Sequence, residues 1–345
     1  MQQSLKPVLK NVWHSITQHR QLILKLLGYS TIILALGFYV WQIYTKGFEF
    51  DWRAYRLNWY FLGGVLLIHA VGLVYGSLGW ALIMQGVAQR SDLFKSAKIY
   101  YLTAITRNLP GLALNILSRV ALHEEEGRGK TVTVVAMLVE RLLITLASAL
   151  TYILTLLLFG GEAIIPIYYV VILVMVGLVI ISPPIFKKLV RRVPGYDQNK
   201  SVAQDFSLGR ILFLLILYSF AIILGTLMLY MAINVIYPLS AEHLPTLNSV
   251  WSFTIMIMLL TIWIPGSLRI RDATLLVTLS HLTSPSIALV ITLLWRYIVM
   301  SADLFWGGLT LLVMWFRGDG LWLEAKGLFL APLKSIKVPI LSRRK

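Results

Sequence analysis

Six arginines, Arg107, Arg119, Arg141, Arg269, Arg271 and Arg296, sit within or beside long apolar stretches, and three acidic residues, Glu140, Asp272 and Asp303, lie at similar depth. An arginine at the centre of a bilayer costs roughly 2.5–3.5 kcal/mol on insertion scales, so each of these is expected to have a partner or a use. Glu140 is adjacent to Arg141, and Asp303 follows Arg296 by seven residues on the same helix face. These carboxylates neutralise part of the charge and leave a formal excess of three. The chemistry such an excess invites is anion binding, because a planar guanidinium fork fits phosphate better than an ammonium does. A plainer alternative stays open, in which some of the six snorkel to the interface or bind helix carbonyls.

Other chemical signals are weaker. The chain has no cysteine, and its six histidines are scattered without ligand spacing, so no metal site and no cofactor is expected. Gly129-Lys130-Thr131 ends like a phosphate-binding loop, but Glu124 stands where the first glycine is needed and no strand precedes it. It reads as a cytoplasmic turn. The run Glu124-Glu125-Glu126 reads as a solvated face. Glu49 and Asp51 lie among Phe48, Phe50, Trp52, Tyr55, Trp59 and Tyr60, an aromatic interface belt in which a catalytic base is the minor reading.

The elements that must carry these residues are membrane helices. Of 345 residues, 58% are hydrophobic and 13% charged, far from a soluble domain. The net charge of +16 falls between apolar runs rather than along a polar face, which excludes a nucleic-acid partner. Runs at 22–44, 58–86, 131–159, 163–186, 208–237 and 286–315 are each long enough to span, which predicts six transmembrane helices. The first is too long for a signal-peptide core and is expected to stay as an anchor. Two regions, about 98–123 and about 250–283, are interrupted at Pro110-Gly111 and Pro265-Gly266. Proline removes a backbone donor and glycine loosens the turn, so both are expected to be re-entrant helical hairpins.

The chain thus reads as an all-α polytopic membrane protein, one integral domain over 1–345. Its first half is 1–190, its cytoplasmic linker 191–207, its second half 208–316 and its basic interfacial tail 317–345. With both termini in the cytoplasm, 22 of the 31 Lys and Arg fall in cytoplasmic segments, as the positive-inside rule requires; Lys46, Arg53 and Arg56 fall outside. That orientation fits the inner cell membrane.

A shift of 155 residues carries Pro110-Gly111 onto Pro265-Gly266 and Arg141 onto Arg296. In the expected topology the first hairpin opens inward and the second outward, an inverted repeat of the kind many transporters use. Two matched positions are also what chance alignment produces.

The stretch from Arg107-Asn108-Leu109-Pro110-Gly111 through Arg119, Gly127 and Glu140-Arg141 resembles the first signature of the lysylphosphatidylglycerol synthase transmembrane-region family. Ile264-Pro265-Gly266-Ser267-Leu268-Arg269-Ile270-Arg271-Asp272-Ala273, followed by Arg296, is similar to its second. Ser267 and Arg269 stand where that family commonly has glycines, and Asp272 replaces its usual glutamate. The resemblance implies a flippase-like module without the soluble aminoacyl-transfer domain, and it puts emphasis on Pro110, Gly111, Arg119, Glu140, Arg141, Pro265, Gly266, Arg271, Asp272 and Arg296. The expected function is transport of a phospholipid or lipid-linked phosphate headgroup between leaflets. Arg119, Arg141, Arg271 and Arg296 contact phosphate in this scheme, and Glu140, Asp272 and Asp303 hold the arginines or, where the headgroup is cationic, contact it. The alternatives are a membrane-embedded transferase with Glu49 or Asp51 as base, and an accessory subunit of glycolipid or polyprenyl-lipid synthesis. A homo-oligomer and a separate lipid synthase stay open as partners.

Overall fold

A computed structural model describes residue 44 and residues 57–88, 92–107, 112–190, 207–261 and 267–318. Among the described residues there is no strand, only ten α-helices and a short 3-10 turn. They are α1 (Trp59–Ala88), α2 (Leu93–Arg107), α3 (Leu112–Glu125), α4 (Lys130–Phe159), α5 (Ile167–Ile181), α6 (Pro183–Val190), α7 (Leu208–Asn234), α8 (Leu244–Leu260), α9 (Ser267–Leu279) and α10 (Pro285–Phe316). Five segments are long and apolar enough to cross a membrane: Trp59–Val87, Lys130–Phe159, Leu208–Asn234, Ala241–Leu260 and Pro285–Phe316.

Local chemistry sets the helix starts. Asn58 accepts from the Tyr60 N–H at 3.1 Å, and Asp92 accepts from Phe94 and Lys95 at 2.9 and 3.3 Å, so side-chain oxygens satisfy donors that the first turn leaves free. α10 opens with Pro285 directly after Ser284, whose hydroxyl accepts from Ile287 at 3.4 Å. Between α3 and α4 the chain turns on Gly127 at a φ of 74°, with Gly127 and Arg128 donating to the carbonyls of Glu124 and His123, both at 2.8 Å. Only glycine enters that region without steric cost. Lys130 and Thr131 begin α4 directly after this turn.

The expected span over 163–186 is corrected. The chain there forms two helices separated at Ser182, which takes an extended conformation (φ −55°, ψ 136°) before Pro183-Pro184. A proline disfavours helical backbone in the residue before it and supplies no donor of its own. α5 therefore has 15 residues, about 22 Å of rise against a hydrocarbon core of about 30 Å. The arm expected from Val250 begins earlier, at Leu244, and with the turn from Ala241 it is itself long enough to cross. The run 22–44, apart from Tyr44, the linker 191–206, the tail from 319 and both Pro-Gly breaks lie outside the described residues.

The chain packs as two compact units. Of the described residues, the first holds 44, 57–72, 141–185, 208–261 and 267–299, and the second holds 73–88, 92–107, 112–140, 186–190, 207 and 300–318. In the first, α7, α8 and α9 pack in succession around an apolar cluster that includes Leu229, Leu247, Val250, Leu275, Leu279 and Ile291. A buried amide ties it further: Thr226 donates to Asn248 Oδ1, and Asn248 Nδ2 donates to Thr155 Oγ1, both at 2.6 Å. In the second, α2 packs beside α3, and Ile99, Leu102, Leu122 and Met314 form its apolar core.

The 155-residue shift extends to the helices. It carries Leu112, the start of α3, onto Ser267, the start of α9, and Lys130, the start of α4, onto Pro285, the start of α10. Arg141 and Arg296 are each eleven residues in from those last two starts, about 16 Å along their helices.

Candidate functional site

The arginines with a resolved partner fall into two groups of different character, one in each unit. In the second unit, Arg119 on α3 is 2% exposed and its Nη1 donates to Glu140 Oε2 at 2.8 Å, the carboxylate also being 2% exposed. Its Nε donates to Thr103 Oγ1 on α2 at 3.2 Å. The guanidinium carbon lies 4.5 Å from the Trp80 ring centroid and 4.6 Å from that of Tyr100, so two aromatic faces stack on the cation. Trp80 also donates its indole N–H to His123 Nε2 at 3.2 Å, which requires a neutral imidazole at that nitrogen. Gly76 makes room for Tyr100: a Cβ there would stand 2.8 Å from the Tyr100 ζ carbon.

The pair α2 and α3 is also stitched by polar side chains. Asn115 on α3 donates to the Thr103 carbonyl at 2.7 Å and to Thr106 Oγ1 at 3.3 Å, and Thr106 and Ser118 hydroxyls meet at 3.1 Å. All four side chains are buried. Where water is scarce such groups must satisfy one another, so α2 and α3 are held in one register.

In the first unit, Arg271 and Asp272 on α9 meet Arg296 on α10. Arg271 Nε and Nη2 both donate to Asp272 Oδ1, at 2.9 and 2.7 Å, and Arg296 Nη1 donates to Asp272 Oδ2 at 3.0 Å. One carboxylate thus serves two guanidiniums, leaving a formal charge of +1. The side chains of Arg271 and Asp272 are 10% and 14% exposed, whereas that of Arg296 is 49% exposed. Next to Arg296, Trp295 is buried edge-on against Trp251, with ring centroids 5.0 Å apart, and its indole N–H has no partner.

The structure therefore brings together Arg119 with Glu140, and Arg271 with Asp272 and Arg296. Arg141 lies half-buried on α4 and Asp303 is buried on α10, each interacting with neighbours. Pro110, Gly111, Pro265 and Gly266 lie outside the described residues, as do the side chains of Arg107 and Arg269. Among the described residues no three His, Asp or Glu side chains cluster as metal ligands do. Sequence reasoning misses Trp80, Tyr100 and Thr103, which carry no local signal of a shared partner. It also passes over Asn115 and Asn248, whose amides in apolar helices are a readable sign of a buried network.

Five membrane-length apolar helices and no strand among the described residues make this a multi-pass protein of the all-helical membrane class. The chain matches no known protein family and finds no curated relative.

Proposed function

We propose that this protein carries a phospholipid or lipid-linked phosphate headgroup across the cytoplasmic membrane, the acyl chains remaining in the bilayer while the headgroup is passed between leaflets. The observation that carries this reading is the Arg271–Asp272–Arg296 cluster, which keeps one positive charge in excess and leaves about half of the Arg296 side chain exposed. Arg296 lies about 16 Å along a helix of membrane length, a depth at which a charge without use is selected against. A phosphodiester bears the single negative charge that balances this cluster, and arginine's fork matches its two non-bridging oxygens. The resemblance of the two Pro-Gly-Arg segments to lysylphosphatidylglycerol synthase transmembrane regions points to the same chemistry.

Purified protein in phosphatidylcholine vesicles is expected to move fluorescent phosphatidylglycerol between leaflets, and Arg296→Ala to abolish the movement while the helical content and melting curve stay unchanged. Equal rates in the wild type and Arg296→Ala overturn the assignment of this site.

A further inference from the structure

We infer that Asp272 is a built-in substitute for the substrate's phosphate: its carboxylate holds Arg296 while the site is empty and gives up that place to the headgroup when lipid binds. This rests on the transport reading above and goes beyond it by assigning the empty carrier its own counter-ion.

The bonding is unequal in a way that defines which contact yields. Arg271 directs two N–H groups onto Oδ1 at 2.9 and 2.7 Å from a nearly buried side chain. Arg296 reaches Oδ2 with one N–H at 3.0 Å, and half of its side chain is open. A guanidinium has five N–H donors in a fixed fork, so an entering anion can engage the open edge of Arg296 before the Asp272 bond breaks. A carboxylate and a phosphodiester each offer two acceptor oxygens and one negative charge, so the exchange is between chemical equivalents.

Charge accounts for the use of such a substitute. The empty site carries +1 and the loaded site is neutral, so both are tolerable at depth and the empty carrier can reorient without cargo. Without the carboxylate the empty site carries +2, which is far harder to hold away from water. The loaded site of such a variant carries +1, the charge that the wild type tolerates when empty. Asp272→Asn therefore reorients only when loaded, which turns net transport into exchange.

The test uses full-length protein and two readouts. Binding of dihexanoylphosphatidylglycerol in nanodiscs is expected to tighten by about tenfold in Asp272→Asn, to stay near wild type in Asp272→Glu, and to vanish in Arg296→Ala. Unchanged or weaker binding in Asp272→Asn overturns the proposal, and so does inorganic phosphate that binds every variant as tightly as the lipid. In vesicles, Asp272→Asn is expected to move labelled phosphatidylglycerol at least about tenfold more slowly when the far leaflet is pure phosphatidylcholine than when it contains unlabelled phosphatidylglycerol, a dependence the wild type lacks. Equal rates under both conditions overturn it. Should the wild type move no lipid while the binding pattern holds, the transport reading fails and the counter-ion role stands. Should Asp272→Asn not fold, wild-type protein carries the test through its infrared difference spectrum on adding phosphatidylglycerol: a shifted carboxylate stretch is expected, and an unmoved one overturns the proposal.

Discussion

Arg119 and Arg296 are both arginines downstream of a Pro-Gly pair, and their surroundings could hardly differ more. Arg119 is enclosed by a carboxylate, a hydroxyl and two aromatic faces, with 2% of its side chain exposed. Arg296 shares a carboxylate with Arg271 and leaves half of its side chain open. The 155-residue register sharpens the contrast. It places Thr274 opposite Arg119 and Trp295 opposite Glu140, both Glu140 and Trp295 being 2% exposed. The second half thus has an indole where the first has its buried anion, and the charge that balances Arg296 comes from Asp272, whose counterpart Leu117 is 61% exposed. One half uses charge to hold helices together, and the other keeps it available.

The largest expected effect follows from breaking the enclosed pair. Glu140→Ala strands a buried guanidinium and is expected to cost about 3–5 kcal/mol, read as loss of folded protein in a denaturant titration in detergent. The double change Arg119→Met, Glu140→Leu is expected to recover most of that stability, because the cost lies in the unpaired charge; a double variant as unstable as the single contradicts this. Gly76→Val drives a side chain into the Tyr100 ring and is expected to cost about 1–3 kcal/mol in the same titration. Asn248→Leu removes the buried amide between α4, α7 and α8, and about 0.6–2 kcal/mol is expected to be lost. The smallest effect belongs to the open cluster: Arg296→Ala is expected to change stability by less than about 1 kcal/mol, in keeping with its exposure. A loss as large as that of Glu140→Ala would erase the distinction between the two groups.

Much of the fold is legible in the sequence because hydropathy and proline act locally. The runs at 58–86, 131–159, 208–237 and 286–315 match α1, α4, α7 and α10 closely, and the Pro-Gly alignment anticipates the common register of α3 with α9 and α4 with α10. The break at Ser182 is readable too, since Pro183-Pro184 stands inside the apolar run, although length and hydropathy alone point to a single span there. Pairing is not legible. Neighbours on a helix diverge by about 100° around its axis, so the adjacency of Glu140 and Arg141 carries little weight, and Glu140 pairs instead with Arg119, 21 residues earlier on α3. Asp272 also shows the limit of that rule: Arg271 is long enough to fold back onto its neighbour. Whether a guanidinium is enclosed or open depends on residues as distant as Trp80, which nothing local connects to it.

The polar stitching of α2 to α3 has a mechanical consequence. Sliding one arm past the other by a single residue, about 1.5 Å, would break the Asn115, Thr106 and Ser118 bonds at once, so this pair behaves as a stiff strut. α8 and α9 share an apolar cluster through Val250, Ile255, Leu259, Leu275 and Leu279, and among the described residues no side-chain hydrogen bond joins the two helices, so a slide there breaks no polar pairing. Of these two helix pairs, the one without polar stitching contains α9, the helix that carries Arg271 and Asp272.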